Sequence, residues 1–480
     1  MSSRVRELFN NYLNQSGLEE KEYQHEGVAW CYNNETSVDL LVHGGFIVDE
    51  MGLGKTIIMI GLFVVHYLPR TLIVLPPVLI DQWYRQIEKT TGHKSLIYHG
   101  SSKKKGITLK QLNEAPIVIT TYGAITKSCL LHEVDWSRIV LDEAHHLRNK
   151  NTQIFKGAKL LKSNIRWLVS GTPIQNSRSD FYSLCSALNM PSTFYKNAAN
   201  LGTIATKYML RRTKVDVGIL LPEVTINNHI VKWKDEREKQ FSLKLHSSFR
   251  FFVGQGEGEG EEDNSETEEE EEEEEDIADM PMLSRFIRAK QSCILPRLIP
   301  YGKIKSTSKM DYVVATLLER RYNDKGKLVF CHFRKEIDEI SLRLREAGIT
   351  SVATFDGRNS HEERVLILNS RIDVLILQIQ TGCEGLNLQE HYSEIYFVSP
   401  HWNPAIEDQA IARCHRIGQT KPVDVFRFEM EGFAGSSLSI DNYVTSVQTT
   451  KRTMASDCLE PTKRNKEERV FIIEEEEEEK

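Results

Sequence analysis

Short runs dominated by Val, Ile, Leu and Phe recur at residues 45–48, 71–75, 117–121, 138–141 and 166–170. A second set follows at 327–332, 351–355, 374–380, 394–399 and 423–428. None alternates cleanly between apolar and polar. A strand with one wet face would alternate, so these runs predict strands buried on both faces, as in a parallel sheet. Segments with helical spacing of apolar residues lie between them, at 56–67, 79–88, 335–346 and 361–369. Buried strand followed by helix, repeated, predicts a doubly wound α/β lobe. The pattern occurs twice, so two tandem lobes of parallel sheet are expected, over 23–210 and 310–430. A lead-in, 1–22, precedes the first. Residues 211–309 are expected to be a linker region with helical insertions. Ile440, Tyr443, Val444, Val447 and Met454 recur at helical spacing and predict a further helix over 439–455.

Composition and charge alter this picture in two places. The 480 residues are 40% hydrophobic, enough for sizeable cores, and carry a formal charge of −7. That charge is unevenly spread. Residues 257–279 hold 16 acidic side chains and 474–479 hold 6 more; the rest has 46 acidic against 61 basic. A basic body suggests a polyanionic partner such as nucleic acid. The Gly/Glu-rich stretch 254–279 has almost no apolar content and is expected to be disordered, as is the charged tail 457–480. The eight cysteines are nowhere closer than 31 residues, which excludes CxxC metal ribbons and suits a reducing compartment. The longest apolar stretch, 72–80, contains two prolines and is too short for a membrane span, and the charged N-terminus is not a signal peptide. A soluble intracellular protein is expected.

Three motifs carry chemistry. Phe46-Ile-Val-Asp-Glu-Met-Gly-Leu-Gly-Lys-Thr56 is a strand, a glycine loop and a helix start. Gly52 and Gly54 let the backbone aim N–H groups at phosphate oxygens, and the helix N-terminus favours the same charge. Lys55 would neutralise the β/γ-phosphates and Thr56 would hold Mg²⁺. Asp49 stands where the usual pattern has its first glycine. In Arg138-Ile-Val-Leu-Asp-Glu-Ala-His-His146 an apolar strand ends in two carboxylates. Asp142 would bind Mg²⁺ and Glu143 would deprotonate the attacking water. In Asp408-Gln-Ala-Ile-Ala-Arg-Cys-His-Arg-Ile-Gly-Gln419 the helical period places Arg413 and Arg416 one turn apart on one face, suited to charge spreading over a γ-phosphate.

With these motifs, the chain resembles the Swi/Snf-type chromatin-remodelling ATPases, a branch of the helicase-like superfamily with two RecA-like lobes. The likeness runs from about Tyr23 to Met454. It implies ATP and Mg²⁺ as cofactors. It implies a nucleotide site made of Gln24, the loop Asp49, Glu50, Met51, Gly52, Leu53, Gly54, Lys55 and Thr56, and Gly385 and Gln409. It assigns His145, Gly171 and Thr172 to coupling between ATP state and lobe movement. Pro76, Thr121, Tyr122, Asp356, Gly357 and Asn387 resemble contacts to a DNA backbone. Arg413 and Arg416 would come from the second lobe to complete the site, and 431–456 is similar to a bracing helix. The implied partner is double-stranded DNA, with histones or other DNA-bound proteins as cargo to displace; the family and the acidic tracts together suggest a eukaryotic nucleus or a virus replicating in such a cell, and a monomer is expected. Gly382-Cys-Glu-Gly385 departs from the family's Gly-Gly-Leu-Gly.

Blander readings stand beside these. Trp83 and Trp402 read as packing residues. His145 and His146 read as hydrogen-bonding groups, since no further ligands occur at metal spacing. The lysines at 103–105 read as a solvated loop. The acidic tract reads as an unstructured insertion, or else as a DNA mimic or histone binder. Three functions remain open at this stage: a translocating DNA-dependent ATPase, a strand-separating DNA or RNA helicase, and a non-catalytic nucleic-acid scaffold.

Overall fold

The computed structural model describes residues 3–100, 106–172, 178–247, 249, 281–299, 304–382, 386–433 and 438–459. The acidic tract, Lys103–Lys105, Gly385 and the tail beyond residue 459 lie outside them. The chain forms two units, Met1–Leu220 with Lys451–Lys480, and Leu221–Thr450.

The first unit is built on seven parallel strands: β1 His43–Ile47, β2 Thr71–Leu75, β3 Leu96–Tyr98, β4 Ile117–Thr121, β5 Arg138–Asp142, β6 Ile165–Val169 and β7 Met209–Leu210. Their order is β3-β4-β2-β5-β6-β1-β7. On one face Ile47, Ile73, Ile119, Val140 and Trp167 pack against helices α1 Ser3–Ser16, α2 Glu22–Thr36, α3 Lys55–Val65 and α4 Ile80–Thr91. The other face sends Phe46, Leu72, Val74, Val118, Leu141 and Leu168 into a second core, covered by helices Gln153–Leu160 and Arg178–Ala187. Successive residues of one strand therefore enter different cores. That is why the runs are mostly apolar without a polar alternation. The lead-in is part of this unit: Phe9 of α1 is fully buried, and a Cβ placed on Gly61 would lie 2.4 Å from its ring.

The second unit has six parallel strands: β8 Val224–Val231, β9 Gly326–Cys331, β10 Val352–Phe355, β11 Val374–Gln378, β12 Tyr392–Phe397 and β13 Val423–Met430. Their order is β10-β11-β9-β12-β13-β8. Again alternate residues feed two cores, Val329, Ile376 and Tyr396 on one face and Leu328, Leu375 and Ile395 on the other. Two doubly wound parallel sheets are thus present, as expected.

Within 211–309, expected as a linker region with helical insertions, the described residues include a strand of the second sheet as well as helices. β8 pairs along its whole length with β13. The helix Met282–Ile294 contributes Ala289, Cys293 and Ile294 to the second unit's core. β8 escaped the apolar-run criterion because it is an edge strand: Asn227, Asn228 and His229 interrupt it, and Ile226 and Ile230 remain exposed. The C-terminal helix runs Ile440–Leu459, with Ile440 and Val444 buried and Asp441 paired to buried Lys309 at 2.5 Å.

Candidate active site

Strands β5, β6 and β1 lie side by side, and their register sets Asp142 and Ile47 both opposite Val169. Their carboxyl ends therefore bring three sequence segments to one sheet edge: Asp142–Glu143, residues 170–172 and the loop 48–54. In a parallel sheet this is the edge at which ligands bind.

The loop turns on glycines. Gly52 has φ 92° and Gly54 φ 80°, conformations that side chains rarely adopt. A Cβ on Gly54 would also lie 2.5 Å from the Gln24 amide, which donates to the Leu53 carbonyl at 3.3 Å. Gln24 thus supports the loop directly. Lys55 opens α3 and donates its ammonium to the carbonyls of Asp49 (2.7 Å) and Glu50 (3.2 Å). Thr56 follows on the first turn of α3. Gly171, from the end of β6, lies beside Met51: an added Cβ would be 2.8 Å from Met51 Cγ and 3.5 Å from Lys55 Nζ. Thr172 donates its N–H to Ser170 Oγ at 3.2 Å.

The two carboxylates of the loop face the chain that leaves this unit. Asp49 is fully buried and receives Arg212 through Nε (3.1 Å) and Nη2 (2.6 Å). Arg212 also donates to the Tyr23 carbonyl and lies over the Tyr23 ring at 5.5 Å. Glu50 pairs with Lys214 Nζ at 2.7 Å. Backbone bonds from Val48 to Leu210 and from Glu50 to Arg212, both 2.8 Å, extend the ladder alongside. These partners lie more than 160 residues away in sequence, and no local pattern pairs them. Arg212→Met is expected to destabilise the unit by about 3–5 kcal/mol by stranding a buried carboxylate. Adding Asp49→Asn should return part of that; urea unfolding of the single and double variants checks both.

Asp142 is buried at the end of β5. Its Oδ1 accepts the Glu143 backbone N–H at 2.9 Å, and its Oδ2 accepts the Trp83 indole N–H at 2.7 Å. Burial, reinforced by the Glu143 charge, pushes its carboxyl up to about 7. Trp83 packs as expected, and it also donates this hydrogen bond, which sequence reasoning missed. Glu143 sits at φ 50°, ψ 51°, a left-handed conformation that is costly for a non-glycine residue and recurs at functional sites. Its Oε2 is 3.3 Å from His145 Nδ1. His145 stacks on His146 at 4.7 Å, and His146 lies 5.2 Å from the Tyr122 ring. Burial, then the neighbouring His145, pushes His146 down to about 4, so it is neutral near pH 7.

Among the residues expected to meet DNA, Pro76, Thr121 and Tyr122 are buried. Thr121 hydrogen-bonds His99 at 3.1 Å and the Tyr122 hydroxyl donates to the Asp142 carbonyl at 2.8 Å. Their side chains support the strand ends from inside. Among the described residues no three His, Cys, Asp or Glu side chains converge as metal ligands. Magnesium commonly takes one or two carboxylates plus phosphate oxygens and water. The donor set of Asp142 and Thr56 beside a phosphate loop fits that chemistry.

In the second unit the helix Pro404–Cys414 starts at Asn403, whose side chain accepts the Ala405 N–H at 3.2 Å. Gln409 is buried on it and Arg413 is in its last turn. The expected one-turn spacing of Arg413 and Arg416 on one helix face is corrected here. The helix stops at Cys414, His415 leaves helical geometry at φ −88°, ψ 80°, and Gly418 turns at φ 97°. The Gln419 amide secures the turn on the carbonyls of Tyr392 (2.9 Å) and Cys414 (3.2 Å). Arg416 lies on that turn and donates to Asn387 Oδ1. The two arginines remain neighbours: burial, then the Arg413 charge, lowers the pKa of Arg416. Asp356 is buried, with Arg358 Nη2 2.6 Å from its carboxylate, and Gly357 lies close to the Arg334 guanidinium. Trp402 packs between Phe286 and Tyr443, at 5.3 and 6.1 Å.

Comparison with known proteins places the chain in a family. Residues 23–297 match the SNF2-related domain and 308–418 the helicase conserved C-terminal domain. The chain is 27% identical to an uncharacterized ATP-dependent helicase of Mycoplasma pneumoniae, over 94% of this chain and 44% of that protein. It is also 27% identical to the ATP-dependent DNA helicase DDM1 of Arabidopsis thaliana, over 86% of this chain and 59% of that protein. It therefore spans less than two thirds of either relative. A solved structure, the Sulfolobus solfataricus SWI2/SNF2 ATPase core in complex with dsDNA, is 25% identical and covers 92% of this chain and 93% of its own, with a TM-score of 0.40. With a match to the SNF2-related domain over more than half its length, the chain belongs to that family.

Proposed function

We propose that this chain is a DNA-dependent ATPase that couples ATP hydrolysis to translocation along double-stranded DNA, displacing or remodelling DNA-bound proteins such as histones. The observation that carries the proposal is the meeting of Lys55, Asp142 and Glu143 at the carboxyl edge of β1, β6 and β5. Gln24 and the loop 49–56 hold the nucleotide, with backbone N–H groups and Lys55 on its phosphates. Asp142 and Thr56 hold Mg²⁺, which when bound neutralises phosphate charge. Glu143 orients and deprotonates the attacking water. Arg413 and Arg416, supplied by the second unit, meet the charge that develops on the γ-phosphate. Gly171, Thr172 and His145, packed on the same edge, transmit the nucleotide state.

The excess of basic residues outside the acidic tracts supports DNA as the partner, as does the DNA helicase relative. Phosphate contacts would make binding salt-dependent and largely indifferent to base sequence. The helicase relatives favour one further reading, strand separation. Relatives come from Mycoplasma as well as from a plant, so they give a nuclear location no support. No helix among the described residues is long and apolar enough to cross a membrane.

ATPase rates with no nucleic acid, duplex DNA, single strands, RNA and nucleosomes test the proposal. The expected result is strong stimulation by duplex DNA. Equal rates in all five conditions would sink it, and strand release in a parallel unwinding assay would favour the helicase reading.

A further inference from the structure

We propose that Trp83 is a positioning residue for the magnesium carboxylate: its indole N–H fixes the orientation in which Asp142 presents its free lone pairs. This rests on the proposed role of Asp142. Trp83 lies on α4, which follows β2, the strand hydrogen-bonded to β5. The side chain is buried and its Nε1 is 2.7 Å from Asp142 Oδ2. The other oxygen takes the Glu143 backbone N–H at 2.9 Å. Each carboxylate oxygen thus carries one hydrogen bond in these contacts, from a different direction, which sets the carboxylate plane. Each also keeps a second lone pair for a cation and its water shell. An indole N–H only donates. It can hold the carboxylate but cannot compete with it for a proton or a metal. Outer partners of this kind hold a metal ligand in its binding orientation, and losing one weakens metal affinity by about 10- to 100-fold.

The test compares wild type, Trp83→Phe and Trp167→Phe. Trp167, on β6 of the same unit, is an equally buried indole whose N–H donates to Glu35 at 2.8 Å. It controls for losing a buried hydrogen bond away from the site. Two quantities are read: Mg²⁺-dependent binding of a fluorescent, non-hydrolysable ATP analogue, and kcat against Mg²⁺ concentration with duplex DNA. Trp83→Phe is expected to raise the Mg²⁺ requirement of both about 10- to 100-fold. Its affinity for the analogue without Mg²⁺ should match wild type, and Trp167→Phe should keep the wild-type Mg²⁺ curve. If Trp83→Phe does not fold, replacing Trp83 by β-(3-benzothienyl)alanine removes the N–H and keeps the shape. A wild-type Mg²⁺ curve in either form overturns the positioning role. A wild-type protein that binds the analogue equally with and without Mg²⁺ overturns the role of Asp142 itself, and Trp83 with it.

Discussion

Arg413→Ala and Arg416→Ala are each expected to reduce DNA-stimulated ATP turnover about 10³-fold or more, while ATP binding by the first unit persists. The size follows from what an arginine does in phosphoryl transfer. Charge spreads over the γ-phosphate oxygens in the transition state, and a guanidinium placed there is worth about 10³–10⁵ in rate. The binding prediction follows from the fold. The phosphate loop, Lys55 and Gln24 are joined by hydrogen bonds within residues 1–220. Arg416 carries a second expectation. It donates to Asn387 from a turn held by Gln419, so Arg416→Lys should not restore turnover, because an ammonium lacks the planar fork. Nucleotide binding and single-turnover rates, measured on the same preparations, check these claims. Turnover within tenfold of wild type in both variants would remove the arginines from the mechanism.

Glu143→Gln should bind ATP and Mg²⁺ near normally and lose about 10²–10⁴ in hydrolysis, the range that general-base assistance supplies. The substitution keeps the side chain's shape and removes its charge. It also keeps the left-handed backbone at φ 50°, which serves Gln no worse than Glu. Glu143 raises the carboxyl of Asp142 through its charge. Removing that charge therefore favours the ionised form of Asp142, so lost turnover could not be blamed on a protonated metal ligand. Rapid-quench measurement of one turnover, with binding read separately, decides the matter. Normal chemistry with slow product release would move Glu143 out of its assigned role.

Much of the fold was legible because its strands are buried on both faces. Each residue of a run such as 72–75 or 374–377 meets one of two apolar cores, so the pattern is visible without knowing neighbours. The helix His361–Asn369 matches the segment that apolar spacing predicted; the reciprocal cap of Ser360 and Glu363 on its first turn was not read from the sequence. β8 was not legible, because an edge strand beside one neighbour tolerates Asn-Asn-His in its middle. The off-helix position of Arg416 was hidden for another reason. Periodicity carries no signal that the Gln419 amide will compete for the Cys414 carbonyl and end the helix.

The same distinction applies to the site. Residue types and spacing alone determined that a Gly-Leu-Gly-Lys-Thr loop follows one buried strand, that two carboxylates end another, and that arginines follow a helix in the second half. These are local properties, set by backbone sterics and by which side chains carry charge. Only the tertiary structure decided that β6 separates those two strands and sets their ends level. It alone decided that Arg212 and Lys214 take the loop's own carboxylates, and that Trp83 and Tyr122 hold Asp142 from opposite ends of the residue. Those pairings join residues 20 to 164 positions apart. They depend on sheet order, which is a property of the whole packed lobe and of no single segment.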